Sequence, residues 1–314
     1  MPQVSIVVPL YNEEEAFPHL IKRLDELTKN LPFSIEVVLV DDGSDDQTAQ
    51  LIESVALENE KYKCIFLSRN HGHQLALTAG LANVSATEAV LIIDADLQDP
   101  PELIKTFYEK FKEGYDVVYA VRKKRKDEIF RRSQYWLYYR IFSSVAYYKI
   151  PLDSGDFSMI SRRVVEILNK MPEEGRYLRG LRSWVGFKQI GIEYERDSRV
   201  AGRTKYPIRK LLSLAFTGIL NFSTFPINFI TYLGIFSVTI SLIYFLHTVI
   251  QKLFYDNVPR GFTAILFIII LFSGVQLISL GVIGQYVIRT FFQVKQRPLF
   301  IVKNKIINKK YVDG

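Results

Sequence analysis

The stretch Ala89-Val90-Leu91-Ile92-Ile93-Asp94-Ala95-Asp96-Leu97-Gln98-Asp99 decides the fold. Its apolar run, closed by turn chemistry, reads as a strand buried on both faces, as in a parallel sheet. Ligands of open α/β sheets bind at the carboxyl ends of such strands. Residues two apart on an extended backbone point the same way, so Asp94 and Asp96 can converge on one hard cation. Mg2+ or Mn2+ held by one or two carboxylates completes its shell with water and phosphate oxygens. The local reading is therefore a divalent ion gripping a diphosphate. Two solvated loop acids are the plain alternative.

Strand and helix signals alternate on both sides of this stretch, as βαβ units do. Val4 to Val8 reads as a strand ended by Pro9, and Asn12 with Glu15 resembles a capping box for a helix whose face is Phe17, Leu20, Ile21, Leu24 and Leu27. Glu36 to Val40 is a second strand and runs into Asp41-Asp42-Gly43-Ser44. Cys64 to Leu67 is a third, followed by Arg69-Asn70-His71-Gly72-His73-Gln74 and a helix of small residues. Pro101 opens another helix, and Tyr115 to Val121 is a fifth strand. The pattern predicts an α/β, doubly wound sheet with its polar turns along one edge, where Tyr11, Asp41, Asp42 and Asp94 share a crevice.

Past Arg122 the pattern breaks into a basic run and then a segment, 129–148, that interleaves Arg131, Arg132 and Arg140 with Trp136 and several tyrosines. That is the composition of a helix lying at a membrane interface, and 207–226 reads as a second, juxtamembrane one. Ile227 to Gln251 and Phe262 to Ile288 each contain no Asp, Glu, Lys or Arg. Each exceeds the roughly 20 residues needed to cross a bilayer, which predicts two transmembrane helices. The tail after them carries Arg289, Lys295, Arg297, Lys303, Lys305, Lys309 and Lys310 against Asp313 alone. The positive-inside rule then places the amino-terminal domain and this tail in the cytoplasm. The expected organisation is a catalytic domain at 1–206, a juxtamembrane helix at 207–226, a two-span hairpin at 227–288 and a basic tail at 289–314. No charged-then-apolar signal region opens the chain, so no cleavage is expected.

Cys64 is the only cysteine, so disulfides within the chain and cysteine-rich zinc sites are excluded, and its apolar run makes it a core side chain. The net charge of +7 lies near the membrane segments and comes with no base-reading motif. It points to anionic lipid and phosphate partners and away from nucleic acid.

Pro9-Leu10-Tyr11-Asn12-Glu13, Asp41-Asp42-Gly43-Ser44 and Asp94 to Pro101 together resemble the family 2 glycosyltransferases with the GT-A nucleotide-diphospho-sugar fold. With the loop Arg69 to Gln74 and two terminal spans, the chain looks like the polyisoprenyl-phosphate glycosyltransferases, the bactoprenol glucosyltransferase and dolichol-phosphate mannose synthase group. The resemblance covers nearly the whole chain.

The resemblance implies that Pro9, Tyr11, Glu13 and Asp42, with Asp41 less firmly, take the nucleotide base and ribose. Read alone, Glu13 serves equally as a helix-start charge and the two aspartates as turn caps. It implies that Asp94, Asp96 and Gln98 hold the metal and diphosphate, Gln98 either as ligand or as an orienting neighbour. Asp156, in Asp153-Ser154-Gly155-Asp156-Phe157, would be the acid near the acceptor, as a base or as a positioning group. Arg122, Arg131 and Arg132 fit a clamp on the acceptor phosphate, since guanidinium forks match phosphate oxygens. Arg203 and Lys205 resemble the family's loop that closes over the diphosphate. His71 and His73 either shape their loop or bond the sugar donor, and Trp184 reads as packing.

The implied reaction is an inverting transfer of a hexose from a nucleotide-diphosphate sugar to polyisoprenyl phosphate, giving a β-linked lipid phosphosugar from an α-linked donor. UDP-glucose is the first expectation for the donor and GDP-mannose the second. A processive polysaccharide synthase is the nearest rival, but Arg182-Ser183-Trp184 does not match its Gln-x-x-Arg-Trp element. A non-catalytic nucleotide-sugar-binding scaffold is the rival from another class, and no G-x-G-x-x-G follows the first strand to suggest a dehydrogenase. Ser273, Gly274, Gly281 and Gly284 allow close helix contacts in a homo-oligomer, and Pro298 to Ile307 has strand character that suits pairing with a neighbouring subunit.

Overall fold

The computed structural model describes residues 1–122, 154–195, 225–255 and 261–313. They fall into two units, one built on a sheet and one made of two long helices. The sheet unit contains β1 (Val4–Leu10), β2 (Ile35–Asp41), β3 (Tyr62–Leu67), β4 (Ala89–Ile92), β5 (Val117–Arg122), β6 (Ser154–Ser161), β7 (Gln189–Tyr194), β8 (Val302–Ile307) and β9 (Lys310–Asp313). Its helices are α1 (Phe17–Lys29), α2 (Thr48–Glu58), α3 (His73–Ala82), α4 (Ile104–Lys112), α5 (Arg162–Lys170) and α6 (Leu178–Trp184). The helical unit holds α7 (Phe225–Tyr255) and α8 (Phe262–Lys295).

The strands form one mixed sheet in the order β7-β5-β6-β4-β1-β2-β3-β8-β9. Central β1 is buried along its whole length, as a near-continuous apolar strand covered on both faces must be. Val4, Ile6 and Val8 pack into one core with Phe17, Leu20, Leu24 and Leu27 of α1, Ile52 of α2 and Phe107 of α4. On the other face α3 approaches so closely that a Cβ on Gly80 would lie 2.4 Å from Val7 Cγ1. Connections from β1 through β2 to β3 run one way across the sheet, and the connection to β4 returns to the far side of β1. The order therefore reverses between β1 and β4, and a ligand crevice of an open sheet opens at that point.

Several sequence expectations are corrected here. β1 runs through Pro9 to Leu10, because Pro9 pairs with Val40 and is tolerated where its missing N–H is not needed. No capping box forms: Ala16 precedes α1 without a side-chain cap, and Asn12 sits in the left-handed region at φ 52°. Pro101 opens a short 3-10 turn, Pro101–Leu103, ahead of α4. β6 is antiparallel to both β4 and β5, so the sheet is mixed. The tail is more than a basic extension: β8 pairs antiparallel with β3 of its own chain, in place of a neighbouring subunit, and β9 pairs with β8. Ile306 is fully buried there, which supplies the apolar reason for the return. Trp184 is half exposed at the end of α6. Cys64 is buried and free, as expected.

Two stretches of 25 residues, Ile227–Gln251 and Leu271–Lys295, are long and apolar enough to cross a membrane, with mean hydropathies of 2.0 and 1.6. No residue described in either stretch is buried within the protein. α8, Phe262–Lys295, contains the expected Phe262 to Ile288 and continues beyond it to Lys295. The segments 129–148 and 207–224 lie outside the described residues.

Candidate active site

The loops after β1 and β2 are laced together before any ligand is considered. Asn12 N donates to Ser44 Oγ at 3.0 Å, Glu13 N to Thr48 Oγ1 at 2.8 Å, and Asp45 N to Asn12 Oδ1 at 2.8 Å. Tyr11 stands half-buried on this wall, and its hydroxyl donates to Asp45 Oδ2 at 3.4 Å. Pro9 is buried in the strand below.

Asp41 accepts a hydrogen bond from Ser44 N at 3.2 Å, which is the turn-capping role open to it from sequence. Asp42 accepts from His71 N at 2.7 Å and Gly72 N at 2.9 Å and is 3% exposed. Its carboxylate braces the loop after β3 against the end of β2. Burial raises the pKa of both acids, and the amide hydrogen bonds offset part of that shift. Gly43 makes the contact sterically feasible. It sits at φ +67°, and a Cβ there would lie 2.5 Å from the carbonyl carbon of Arg69.

Asp94 and Asp96 follow the end of β4 beside the β1/β4 reversal. Asp96 is 8% exposed, and its Oδ1 accepts from Gln98 N at 3.1 Å across a turn in which Leu97 adopts φ 55°. Gln98 thus orients Asp96 through its backbone amide. Among the described residues no three His, Cys, Asp or Glu side chains converge as a metal cage. A pair of carboxylates with Asp94 30% exposed nevertheless fits Mg2+ or Mn2+, which takes one or two carboxylates and fills its shell from water and phosphate. The site suits an ion carried in with a diphosphate and does not suit one caged by protein alone.

β6 brings the remaining acid to this edge. Because it runs antiparallel, its beginning lies beside the end of β4, and extending the Ile92↔Ser158 register by two residues sets Asp94 level with Asp156. His73 stands between them at the start of α3, with Nε2 3.0 Å from Asp94 Oδ1 and Nδ1 3.8 Å from Asp156 Oδ2. Burial works against the imidazolium, but the Asp94 hydrogen bond and the two carboxylate charges prevail and raise its pKa to about 9. The loop-shaping role of His73 is accordingly an electrostatic bridge between two acids.

Asp156 is almost fully enclosed and its carboxylate is fully engaged. Arg179 Nε donates to Oδ1 at 2.9 Å, Arg179 Nη2 to Oδ2 at 3.2 Å, and Gln74 Nε2 to Oδ2 at 3.1 Å. Gln74 Oε1 accepts from Leu178 N at 2.8 Å, which ties α3 to the start of α6. Burial alone would raise the pKa of Asp156, yet the Arg179 charge and hydrogen bonds hold it well below the usual carboxylate range. Arg182, one turn further along α6, is 4% exposed, and its Nε and Nη2 have no partner among the described residues. Burial pushes its pKa down to about 10, against the pull of the Asp156 charge, so it stays charged at neutral pH.

Arg122 ends β5 at the same edge. Its Nε donates to Tyr194 Oη at 3.3 Å, and Tyr194 Oη donates to Asp99 Oδ1. The structure thus brings Tyr11, Asp41, Asp42, Asp94, Asp96, Asp156 and Arg122 to the strand ends. Arg131, Arg132, Arg203 and Lys205 lie outside the described residues. Sequence reasoning missed Arg179, Tyr194 and Asp99 as members of the site. Only Asp99, three residues past Asp96, stood inside a motif already singled out.

A mixed sheet with its acids gathered at the β1/β4 reversal defines an α/β protein of the GT-A kind. The chain belongs to Glycosyl transferase family 2, whose pattern matches residues 5–168, and it is a glycosyltransferase. It is 44% identical to the glycosyltransferase YkcC of Bacillus subtilis, over 96% of this chain and 93% of that one. It is 39% identical to the bactoprenol glucosyl transferase of Shigella phage SfV, over 96% of this chain and 99% of that one. Among solved structures it is similar to a mannosyltransferase from Pyrobaculum calidifontis in complex with GDP-Man and Mn2+, at 18% identity over 69% of each chain and a TM-score of 0.46.

Proposed function

We propose that this glycosyltransferase moves a hexose, glucose first and mannose second, from a nucleotide diphosphate to polyisoprenyl phosphate at the cytoplasmic face of a membrane. The observation that carries the reading is the level placement of Asp94 and Asp156 at one sheet edge, bridged by His73. One acid faces a donor diphosphate, and the other lies beside the guanidinium groups an anionic acceptor requires. The name of the Shigella phage relative, a bactoprenol glucosyl transferase, supports a lipid-carrier acceptor. The two apolar stretches support a membrane anchor. Residues before and after those stretches share one sheet through β3 and β8, so an even number of crossings returns the chain to the side it left. The basic tail favours the cytoplasm for that side.

In this mechanism Asp94 and Asp96 hold Mg2+ or Mn2+, which when bound neutralises charge on the departing diphosphate. Tyr11 offers a ring face to the base, and Asp42 shapes that wall through the loop it braces. The acceptor phosphate oxygen forms its bond to the anomeric carbon as the bond to the diphosphate oxygen breaks, with one inversion. A phosphate monoester has a second pKa of about 6 and is already largely a dianion near neutral pH. Asp156, held ionised by Arg179, has little proton affinity to contribute, so it positions Arg179 and does not serve as a base. Arg122, with Arg131 and Arg132, takes the acceptor phosphate, and Arg203 and Lys205 close over the diphosphate.

The test is a product assay with purified full-length protein, radiolabelled UDP-glucose or GDP-mannose, and polyisoprenyl phosphate in detergent. A chloroform-soluble monoglycosyl lipid that requires Mg2+ or Mn2+ and disappears in Asp96→Asn is the expected result. A polymer would install the processive reading. Full activity of Asp96→Asn would overturn the metal assignment.

A further inference from the structure

We infer that Tyr194 is a positioning residue that ties Arg122 to the metal-binding loop through Asp99, so that a filled donor site tightens the grip on a phosphate monoester acceptor. The inference rests on the preceding assignment of Arg122 to the acceptor phosphate.

Arg122 and Tyr194 are register partners at the last rungs of parallel strands β5 and β7. Arg122 Nε donates to Tyr194 Oη at 3.3 Å, and the same hydroxyl donates to Asp99 Oδ1. The polarity of this chain is forced. A guanidinium only donates and an ionised carboxylate only accepts, so the phenol must do one of each. Hydrogen bonds in such a series polarise one another, more strongly away from bulk water. Asp99 is 2% exposed, and a buried carboxylate persists as a charge only when paired and hydrogen-bonded.

Both ends of the relay are held. The Tyr194 ring packs edge-on against Phe157 at 5.9 Å, and Phe157 packs on Phe107 at 5.1 Å. Arg122 lies against the backbone of Gly155, where a Cβ would come within 3.2 Å of Nη2. Asp99 is three residues from Asp96, across the turn fixed by Leu97 and by the Gln98 N to Asp96 Oδ1 hydrogen bond. Any adjustment of Asp94 and Asp96 on taking a metal diphosphate therefore reaches Asp99, and through Tyr194 it reaches the guanidinium. Because binding couplings are reciprocal, a bound acceptor must tighten the donor site by the same factor.

Tyr194→Phe keeps the ring on Phe157 and removes only the hydroxyl. Losing a hydrogen bond to a charged group predicts a rise of about tenfold in KM for polyisoprenyl phosphate. Binding of nucleotide sugar in the absence of acceptor should stay at the wild-type level, whereas its KM at saturating acceptor should rise by the same factor as the lost coupling. In wild type, saturating nucleoside diphosphate with Mg2+ should strengthen binding of a non-reacting polyisoprenyl phosphonate several-fold, within the range usual for such coupling. Tyr194→Phe and Asp99→Asn should each abolish that gain, and the second variant tests the relay should the first fail to fold. Arg122→Gln should raise the acceptor KM by itself, and Tyr194→Phe should add nothing further in that background. An unchanged acceptor KM in Tyr194→Phe, weakened nucleotide-sugar binding in the absence of acceptor, or a surviving donor-dependent gain would overturn the relay. A normal acceptor KM in Arg122→Gln would instead overturn the acceptor assignment beneath it.

Discussion

Arg179 donates two hydrogen bonds to Asp156, from Nε to Oδ1 at 2.9 Å and from Nη2 to Oδ2 at 3.2 Å, and the carboxylate they hold is 5% exposed. A buried pair of this kind is costly to break from one side, because the remaining charge has no solvent to turn to. Arg179→Leu should lower unfolding stability by about 3–5 kcal/mol, and Asp156→Asn in the same background should recover part of the loss. Thermal and urea unfolding of the detergent-solubilised protein would measure both.

The same pair makes a kinetic prediction. With Asp156 held well below the ordinary carboxylate range, the acid limb of kcat/KM should fall near pH 6, where the acceptor phosphate takes its second proton. A thiophosphate acceptor, whose second pKa is lower, should carry the limb down with it. If the limb ignores the acceptor and moves instead in Arg179→Lys, Asp156 is the base.

His73 gives stability a pH dependence of opposite sign. Its folded pKa of about 9 lies above the ordinary imidazole value of 6.5. Its contribution is therefore complete below about pH 6.5 and lost as pH rises towards 9. The unfolding midpoint of the ligand-free protein should fall across that window. His73→Gln should flatten the fall, and saturation with nucleoside diphosphate and Mg2+, which claims Asp94, should reduce it. An equal slope in His73→Gln would remove the imidazolium from the account.

The strands and the paired acids were legible because they are local. A short apolar run closed by polar or turn residues is written in consecutive letters, and β1 to β5 lie within two residues of where those runs place them. Strand direction is not written that way. Ser158-Met159-Ile160 reads the same pointing up or down the sheet, and only the tertiary fold turns β6 antiparallel and delivers Asp156 to the edge. Arg179 and Tyr194 were missed for a related reason. Each lies in a stretch with no motif, and each acquires its role from partners 23 and 95 residues distant, Asp156 and Asp99. The tail strand was visible in Pro298 to Ile307, but its partner β3 was not, because an apolar edge strand specifies a face and leaves the neighbour open.

Gly43 tests how the nucleotide wall is held. At φ +67°, with the Arg69 backbone 2.5 Å from where a Cβ would be, Gly43→Ala must both strain the turn and push the 69–72 loop away. Strain of that kind costs of order 1–3 kcal/mol, and the displaced loop loses the His71 and Gly72 amides that Asp42 binds. The variant should show a lowered unfolding midpoint and a raised KM for nucleotide sugar, with the acceptor KM little changed. Asp42→Asn should reproduce the donor defect with less loss of stability. If Gly43→Ala leaves the donor KM untouched, the loop is not part of the nucleotide wall.

The return of the tail to the sheet makes residues that follow α8 part of the stability of the sheet unit. β8 covers the edge of β3 from Cys64 to Leu67, and Ile306 is buried opposite Cys64. Without β8 those backbone groups form an open edge, which invites pairing with other chains. Ile306→Ala should cost about 2–5 kcal/mol, the usual penalty for emptying a buried aliphatic position. Ending the chain at Gln296 should cost more and shift the protein towards aggregates on size exclusion. Both changes lie away from Asp94, Asp96 and Asp156, so the kcat of the Ile306→Ala protein that remains folded should match wild type. Full thermal stability in the chain ending at Gln296 would mean that β8 is an ornament on the sheet and not part of its core.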